Sequence, residues 1–203
     1  MFSCARIHFA ALLAVVFAMA SLADDTPRTL NVISYNVLVE ISHEKGVPSW
    51  DERKALAVET LKKQGPDLIG MQENTPNQRD YFAANLPEYA IAGAIVLEGT
   101  QYELLKKLLS AYSNTDFKEY TDALLFYKKD EFDKLDEGHW WLSPTPERMS
   151  NGYGNFLPRV AIWTKLKHKP TGKTFLVLVT HFDNTSPSQK FMAKQMAESV
   201  PKI

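Results

Sequence analysis

The sequence predicts a single-domain α/β (α+β) protein in which strands and helices alternate first and antiparallel strands follow. Short apolar runs rich in Val, Ile, Phe and Tyr are typical of strands. Capped segments with apolar residues at helical spacing are typical of amphipathic helices. No internal repeat or linker-like tract divides the chain. This order of elements predicts a layered sheet protein with helices on its faces.

The first part of the chain predicts strand, helix and strand in succession. Residues 29–38 interleave β-branched and aromatic residues with polar ones, which is typical of a strand. The Ser49-Trp50-Asp51-Glu52 capping box begins a helix that Gly65-Pro66 ends. Residues 67–72 then predict a buried strand, and Glu73 follows at its carboxyl end.

A second helix is predicted to begin at Thr75, which forms a capping box with Gln78, and to end before Pro87. Residues 89–97 predict one further strand. Residues 100–112 predict an inserted amphipathic helix that packs on the sheet, and a mobile lid over a site is the alternative interpretation.

The second half predicts four strands and a final helix over residues 187–200. Short charged or Gly/Pro turns, such as Asp130-Glu131 and Pro170-Thr171-Gly172, indicate antiparallel hairpins between these strands. The predicted strands cover residues 123–127, 132–142, 159–166 and 174–180.

Residues 1–23 predict a signal peptide. A basic segment ending at Arg6 precedes apolar residues 9–17, and Ser21-Leu22-Ala23 offers small residues where signal peptidase cleaves. The apolar run is shorter than the about 20 residues of a membrane span, so a retained anchor is the weaker alternative. We therefore expect cleavage after Ala23, a secreted or periplasmic protein, and no stable membrane anchor after cleavage.

Composition excludes some classes of chemistry. Cys4 is the only cysteine and lies in the predicted signal peptide, so the mature chain should contain no disulfide, thiolate metal site or cysteine nucleophile. The formal net charge is −1. Such a balance does not predict the basic face with which a protein grips long nucleic acid.

Three polar side chains end otherwise apolar strands: Asn36, Glu73 and His181. Each alone has an ordinary explanation, since Asn forms turns, Glu is solvated, and a lone His is often structural. Their repetition at the ends of three strands favours a site. Glu73 suits a hard cation such as Mg²⁺, which one or two carboxylates bind together with water and phosphate oxygens. Asn36 would orient water or phosphate, and His181 would donate to a phosphoryl oxygen or protonate a leaving group.

Five motifs occur in an order and at distances that resemble the endonuclease/exonuclease/phosphatase superfamily. That superfamily includes pancreatic-type deoxyribonuclease, apurinic-site endonucleases, neutral sphingomyelinases and inositol polyphosphate 5-phosphatases. The resemblance runs from Leu30 to the last residue. The motifs are Ser34-Tyr35-Asn36-Val37, Pro66-Asp67-Leu68-Ile69-Gly70-Met71-Gln72-Glu73, Trp140-Trp141-Leu142-Ser143, Leu157-Pro158-Arg159 and Val179-Thr180-His181-Phe182-Asp183.

The resemblance implies a four-layered α/β sandwich of two mainly antiparallel sheets, and hydrolysis of phosphate esters by an activated water with Mg²⁺ or Mn²⁺. It implies that Glu73 is the metal ligand and that Asn36 belongs to the network around metal and phosphate. It places His181 at the scissile phosphate, with Asp122 as the acid that orients it. It assigns Arg159 to phosphate binding, for which a bidentate guanidinium is suited; a surface salt bridge is the alternative.

The superfamily pattern also includes an Asp-x-Asn pair and a terminal Ser-Asp-His, and neither occurs by Ile203. We therefore expect residues 24–203 to be the N-terminal part of an exported phosphoesterase domain that by itself turns over little substrate. A non-catalytic secreted binding module that retains the sandwich is the alternative. Nucleic acid, phospholipid and small phosphate esters all remain open as substrates.

Overall fold

The computed structural model describes residues 29–40, 45–109, 117–155, 157–184 and 186–203, so the predicted signal peptide lies outside the described residues. The strands in these ranges are β1 (Val32–Asn36), β2 (Leu68–Gln72), β3 (Tyr89–Ala92), β4 (Ile95–Val96), β5 (Glu119–Tyr120), β6 (Ala123–Lys128), β7 (Phe132–Trp141), β8 (Val160–His168) and β9 (Thr174–Thr180). The helices are α1 (Trp50–Gln64), α2 (Pro76–Asn85), α3 (Gly99–Leu109) and α4 (Ser186–Ser199), and a 3₁₀ turn covers Val200–Lys202.

Two main sheets form the centre of the fold. The first has the strand order β1-β2-β6-β3, in which β1 and β2 are parallel and the other pairs are antiparallel. The second is the antiparallel meander β7-β8-β9. A small ribbon of β4 and β5 lies beside them.

Alternate residues of β6 divide between two cores, because successive side chains of a strand point to opposite faces. Leu124 and Phe126 pack in the core that contains buried residues of α1 and α2. Ala123, Leu125 and Tyr127 pack in the core that also contains residues of the second sheet. The first sheet therefore lies between a helix layer and the second sheet.

The second sheet divides in the same way. Val160 and Ile162 of β8 join the core between the sheets, whereas Ala161 and Trp163 pack with Met192 of α4. The layers therefore run from α1 and α2 through the two sheets to α4. This arrangement confirms the predicted four-layered sandwich.

Helix boundaries follow the predicted caps closely. The Ser49 backbone N–H donates to the Glu52 carboxylate at 2.7 Å, and α1 ends at Gly65, whose φ of 55° is left-handed. Thr75 Oγ1 accepts from the backbone N–H of Gln78, and Gln78 Oε1 accepts from that of Thr75, which is a complete capping box. None of the helices in the described ranges combines the length and the apolar character that crossing a membrane requires.

Two sequence interpretations were wrong. The strand predicted over residues 89–97 is two strands in different sheets, because Gly93 (φ 95°) breaks the extended backbone between β3 and β4. The Asp130-Glu131 turn does not join a hairpin, because β6 pairs with β2 and β3 whereas β7 pairs with β8. The hairpin predicted at Pro170-Thr171-Gly172 is confirmed between β8 and β9.

The interpretation of the inserted helix as a packing element is confirmed. Leu105 of α3 is 2% exposed within the core between the sheets, and Leu109 packs against that core. The helix ends at Leu109 in the structure, and the last predicted residues, 110–112, lie outside the described part of the chain.

The Asp67 carboxylate, just before β2, accepts hydrogen bonds from Asn31 beside β1 and from Lys128 of β6. We therefore expect the free energy of unfolding to fall in acid. Burial alone would raise the pKa of its carboxyl, but donors from Lys128 Nζ and the Asn31 N–H, each at 2.9 Å, hold that pKa below its ordinary value. The stabilisation is therefore present above the ordinary carboxyl pKa and is lost as pH falls through the lowered one, below about pH 4. Asp67→Asn should lower the free energy of unfolding by about 1 kcal/mol at pH 7.

Urea unfolding at pH 7 and pH 3 measures this effect. The difference between wild type and Asp67→Asn should shrink at pH 3, whereas Asp130→Asn, at an exposed turn, should change little at either pH. A deficit of Asp67→Asn that is equal at both pH values would contradict the ionic origin of the stabilisation.

Candidate active site

Strand direction places the predicted site residues at one edge of the two sheets. The parallel strands β1 and β2 end side by side, with Asn36 opposite Gln72, so Asn36 and Glu73 leave the sheet together. Strand β6 runs antiparallel to β2 and begins at the same edge, with Ala123 opposite Gln72. Asp122 directly precedes this strand, and its carbonyl accepts from the Glu73 backbone N–H at 3.0 Å.

The second sheet contributes the other half of the site in the same way. Because β8 and β9 are antiparallel, Arg159 just before β8 and His181 just after β9 lie at one edge. His181 Nε2 lies 3.6 Å from Glu73 Oε1, and His181 Nδ1 lies 3.1 Å from Asp122 Oδ1. The structure thus brings together all five residues that were predicted from sequence.

Asn36 is oriented by hydrogen bonds on both sides of its amide. Its Nδ2 donates to Glu73 Oε1 at 2.7 Å, and its Oδ1 accepts from the Leu38 backbone N–H at 2.9 Å. The backbone donor fixes which amide atom is oxygen. The Asn36 amide nitrogen therefore faces the Glu73 carboxylate. The other carboxylate oxygen, Oε2, accepts from the Val39 backbone N–H at a longer distance of 3.4 Å.

Leu38 and Glu73 both have left-handed backbone conformations, with φ of 56° and 62°. Such a conformation costs a non-glycine residue of order 1 kcal/mol and persists only where surrounding contacts hold it. Both residues follow the parallel strands that carry the site. At Glu73 the left-handed turn ends β2 and directs the carboxylate toward Asn36 and His181.

A guanidinium from α1 holds the strained turn at Leu38. Arg53 donates through Nη1 to the carbonyl of Val37 and through Nη2 to that of Leu38, and it lies over the ring of Trp50 at 5.0 Å. The fully buried Gln78 also donates to the Leu38 carbonyl, at 2.9 Å. These contacts fix the backbone N–H that orients Asn36.

Asp122 binds two donors from the second sheet. Arg159 Nη1 lies 3.2 Å from Asp122 Oδ2 and 2.8 Å from His181 Nδ1. The contacts of Nδ1 with Arg159 and with Asp122 require opposite tautomers. We assign the hydrogen to Nδ1, because a lone pair there would face two carboxylate oxygens at 3.1 and 3.3 Å. Nε2 is then the nitrogen that faces the open part of the site.

Arg159 is a partly buried member of the site and does not form the surface salt bridge that was the alternative interpretation. Its side chain is 13% exposed, and its second terminal nitrogen lies 3.9 Å from Asp183 Oδ1. Asp183 in turn accepts from Ser188 Oγ at 3.0 Å, at the beginning of α4. Two carboxylates thus hold the guanidinium that was predicted to contact phosphate.

Sequence reasoning missed three residues that position the site: Arg53, Gln78 and Asp183. Asp183 stands in the quoted His181-Phe182-Asp183 motif, and its spacing from the histidine was an available signal. Gln78 was assigned only to a helix cap. Arg53 sits in the first turn of α1 with no local signal, because its partners are backbone carbonyls of a distant loop.

Glu73 is the residue best suited to hold a metal ion. Its side chain is 22% exposed, and its Oε1 lies within 3.6 Å of both Asn36 Nδ2 and His181 Nε2. The described residues include no group of three His, Cys, Asp or Glu side chains arranged to enclose a metal. A cation held here would therefore take most of its ligands from water and substrate, as Mg²⁺ commonly does.

Comparisons with known proteins agree with this fold. No protein-family model matches the sequence. An endonuclease/exonuclease/phosphatase from Bacteroides vulgatus is 27% identical with a TM-score of 0.69, over 86% of this chain and 60% of that structure. A mannosyl-6-phosphatase from Bacteroides thetaiotaomicron is 26% identical with a TM-score of 0.69, over the same shares of the two chains.

A curated relative is the CCR4-Not complex 3'-5'-exoribonuclease subunit Ccr4 of Saccharomyces cerevisiae. It is 25% identical over an alignment of 175 positions that covers 78% of this chain and 20% of that protein. The chain has the mixed α/β sandwich fold of the endonuclease/exonuclease/phosphatase superfamily, as the likeness to the two bacterial structures shows. It spans about 60% of each of these two structures.

The positioning of the Leu38 turn by Arg53 predicts a stability effect. Arg53→Gln removes the paired donation to two backbone carbonyls and should lower the free energy of unfolding by about 1.5–3 kcal/mol. Arg53→Lys keeps the charge without the forked geometry and should lie between wild type and Arg53→Gln. Urea unfolding of the three proteins measures the order, and equal stabilities would contradict a structural role for the guanidinium.

Proposed function

We propose that this edge of the two sheets is a phosphoesterase site, which hydrolyses a phosphate ester with water and Mg²⁺ or Mn²⁺. The observation that carries the proposal is the convergence of Asn36, Glu73, Asp122, Arg159 and His181 from both sheets into one hydrogen-bonded network. A structural ion-pair cluster would not require a histidine nitrogen and a partly exposed carboxylate to face the same opening.

The charges of the network favour a divalent cation. The carboxylates of Asp122 and Asp183 face the guanidinium of Arg159, and that of Glu73 lies 3.6 Å from His181 Nε2 and interacts electrostatically with Arg53. Three carboxylates therefore stand against two guanidiniums. A phosphate ester approaching this group would meet excess negative charge unless a cation accompanied it. Glu73 would hold the ion, since Asp122 and Asp183 are engaged with Arg159. The ion would supply charge neutralisation at the phosphoryl oxygens.

The chain's own residues have distinct parts in this proposal. Arg159 and Asn36 would bind phosphate oxygens, for which both carry N–H donors at the edge. With a hydrogen on each ring nitrogen, His181 would donate from Nε2 to a phosphoryl oxygen or protonate the leaving group, while Nδ1–H stays on Asp122. Asp122 would hold the imidazole through Nδ1, so that Nε2 stays directed at the substrate.

The substrate class is a phosphate ester. The names of the relatives differ in this respect, since one is an exoribonuclease and another a mannosyl-6-phosphatase. Their common chemistry is the phosphate ester itself, which supports a shared phosphate site with separate contacts for the remainder of the substrate.

Substitution of Glu73 tests the proposal without depending on turnover. Glu73→Gln should weaken Mn²⁺ binding at least about tenfold, which corresponds to about 1.4 kcal/mol, because the amide lacks the carboxylate charge. Titration calorimetry or Mn²⁺ paramagnetic resonance on the full chain gives the affinity. Any Mg²⁺-dependent hydrolysis of a generic phosphodiester should disappear in the same variant.

Glu88→Gln, at an exposed carboxylate beside the end of β6 that lies opposite to Asp122, is the matched control and should bind Mn²⁺ as wild type does. Unchanged Mn²⁺ affinity in Glu73→Gln would remove Glu73 as the metal ligand. Metal and phosphate-ester binding with no hydrolysis would favour the non-catalytic binding protein.

We also propose that the protein is exported after cleavage at Ala23. The basic, apolar and small-residue segments of residues 1–23 support this. The mature protein recovered from a host with a secretory pathway should begin at Asp24, which N-terminal sequencing or intact mass measures. A product that retains Met1 and stays with the membrane fraction would favour the uncleaved anchor instead.

A further inference from the structure

A cavity of about 110 Å³ lies directly beside the candidate active site. Asp122, which holds His181, borders it on one side, and Asn74, which follows Glu73, borders it on another. Most of its wall is apolar and comes from the turn after β1, from α3, and from the segments before β6 and β8. The apolar wall residues are Val39, Leu105, Leu109, Phe117, Tyr120 and Leu157.

The polar groups of the wall are largely committed elsewhere. The Tyr120 hydroxyl donates to the Pro158 carbonyl, and Thr121 Oγ1 donates to the Asn74 carbonyl at 2.8 Å. Glu119 is paired with Arg79. The exception is Asn74, whose buried side-chain amide has no hydrogen-bond partner among the described residues. A sugar in this cavity could pair one hydroxyl with this amide, but its other hydroxyls would lose water without gaining partners, which costs free energy. An apolar group would gain by leaving water.

The size of the cavity limits the occupant further. An engineered cavity of about 150 Å³ in another protein binds benzene. A cavity of about 110 Å³ is therefore large enough for a short alkyl chain or one six-membered ring that stays partly outside. It is too small for two fused rings.

We propose that this cavity binds the apolar part of the substrate, a single aromatic ring or short alkyl chain, while the phosphate lies at Asn36, Arg159 and His181. The inference rests on the proposed phosphoesterase function and gives it a substrate class: aryl or alkyl phosphate esters rather than sugar phosphates. Asp122 connects the two parts, because it borders the cavity and holds His181.

Three phosphate esters test the proposal on the full chain with Mg²⁺: phenyl phosphate, methyl phosphate and mannose 6-phosphate. Phenyl phosphate should bind at least about tenfold more tightly than either of the others, since ring burial is worth that factor or more. Calorimetry gives the dissociation constants. Equal affinities for phenyl and methyl phosphate, or a preference for mannose 6-phosphate, would overturn the proposal.

Substitutions at Leu109 test the location. Leu109→Phe should fill the cavity and reduce the preference for phenyl over methyl phosphate to about twofold or less, because the added ring takes the space. Leu104→Phe, at a position of α3 that is 42% exposed, is the matched control and should keep the preference. A phenyl preference that survives Leu109→Phe would place the ring elsewhere and overturn the proposal.

Two further measurements cover the remaining outcomes. If Leu109→Phe does not fold, Leu109→Ala enlarges the cavity and should raise the affinity for 1-naphthyl phosphate relative to phenyl phosphate; no rise would overturn the location. Phenol separates this inference from the proposed function. Phenol binding that Leu109→Phe blocks, with no gain from adding phosphate, would overturn the joint site and the phosphate function but not the cavity.

Discussion

The close packing of the two sheets is the constraint on which the site depends. Strands β2 and β6 of the first sheet contact β8 and β9 of the second. At Gly70 of β2 a Cβ atom would lie 3.3 Å from Val179 of β9, so the sheets approach closely where the site is built. Asn36, Glu73 and Asp122 come from one sheet, and Arg159 and His181 come from the other. Only this contact makes their side chains neighbours.

Within the site, backbone geometry and charge act together. The left-handed turn at Leu38 is a local cost that Arg53 and Gln78 offset through backbone carbonyls. The left-handed turn at Glu73 is accompanied by a hydrogen bond from its backbone N–H to the Asp122 carbonyl. The result is a carboxylate that accepts from one amide and keeps an open side toward His181. Such pre-organisation reduces the reordering that a substrate or a cation would otherwise have to induce. The strained backbone at Leu38 and Glu73 therefore belongs to the site, because it fixes the positions of Asn36 and the Glu73 carboxylate.

The relatives share the sandwich and phosphate-ester chemistry, but their names indicate different organic groups beside the phosphate. In this chain the surface beside the proposed phosphate site is formed partly by α3, whose Leu105 and Leu109 line an apolar cavity next to Asp122. A common phosphate site with a distinct neighbouring pocket is the way in which one fold serves several substrates. Under the proposed function, the features that set specificity would lie in the inserted helix and loops and not in the strands.

The sequence by itself determined the layered α/β class, the helix caps at Ser49 and Thr75, and the polar residues Asn36, Glu73 and His181 at three strand ends. These depend on local spacing and on capping chemistry, which neighbouring residues decide. The family resemblance added Asp122 and Arg159. The sequence did not determine that Gly93 divides two strands between sheets, or that the Asp130-Glu131 turn crosses from one sheet to the other. Strand partners depend on contacts between residues that are distant in sequence. The roles of Arg53 and Asp183 and the cavity beside Asp122 depend on such contacts too, so only the tertiary structure reveals them.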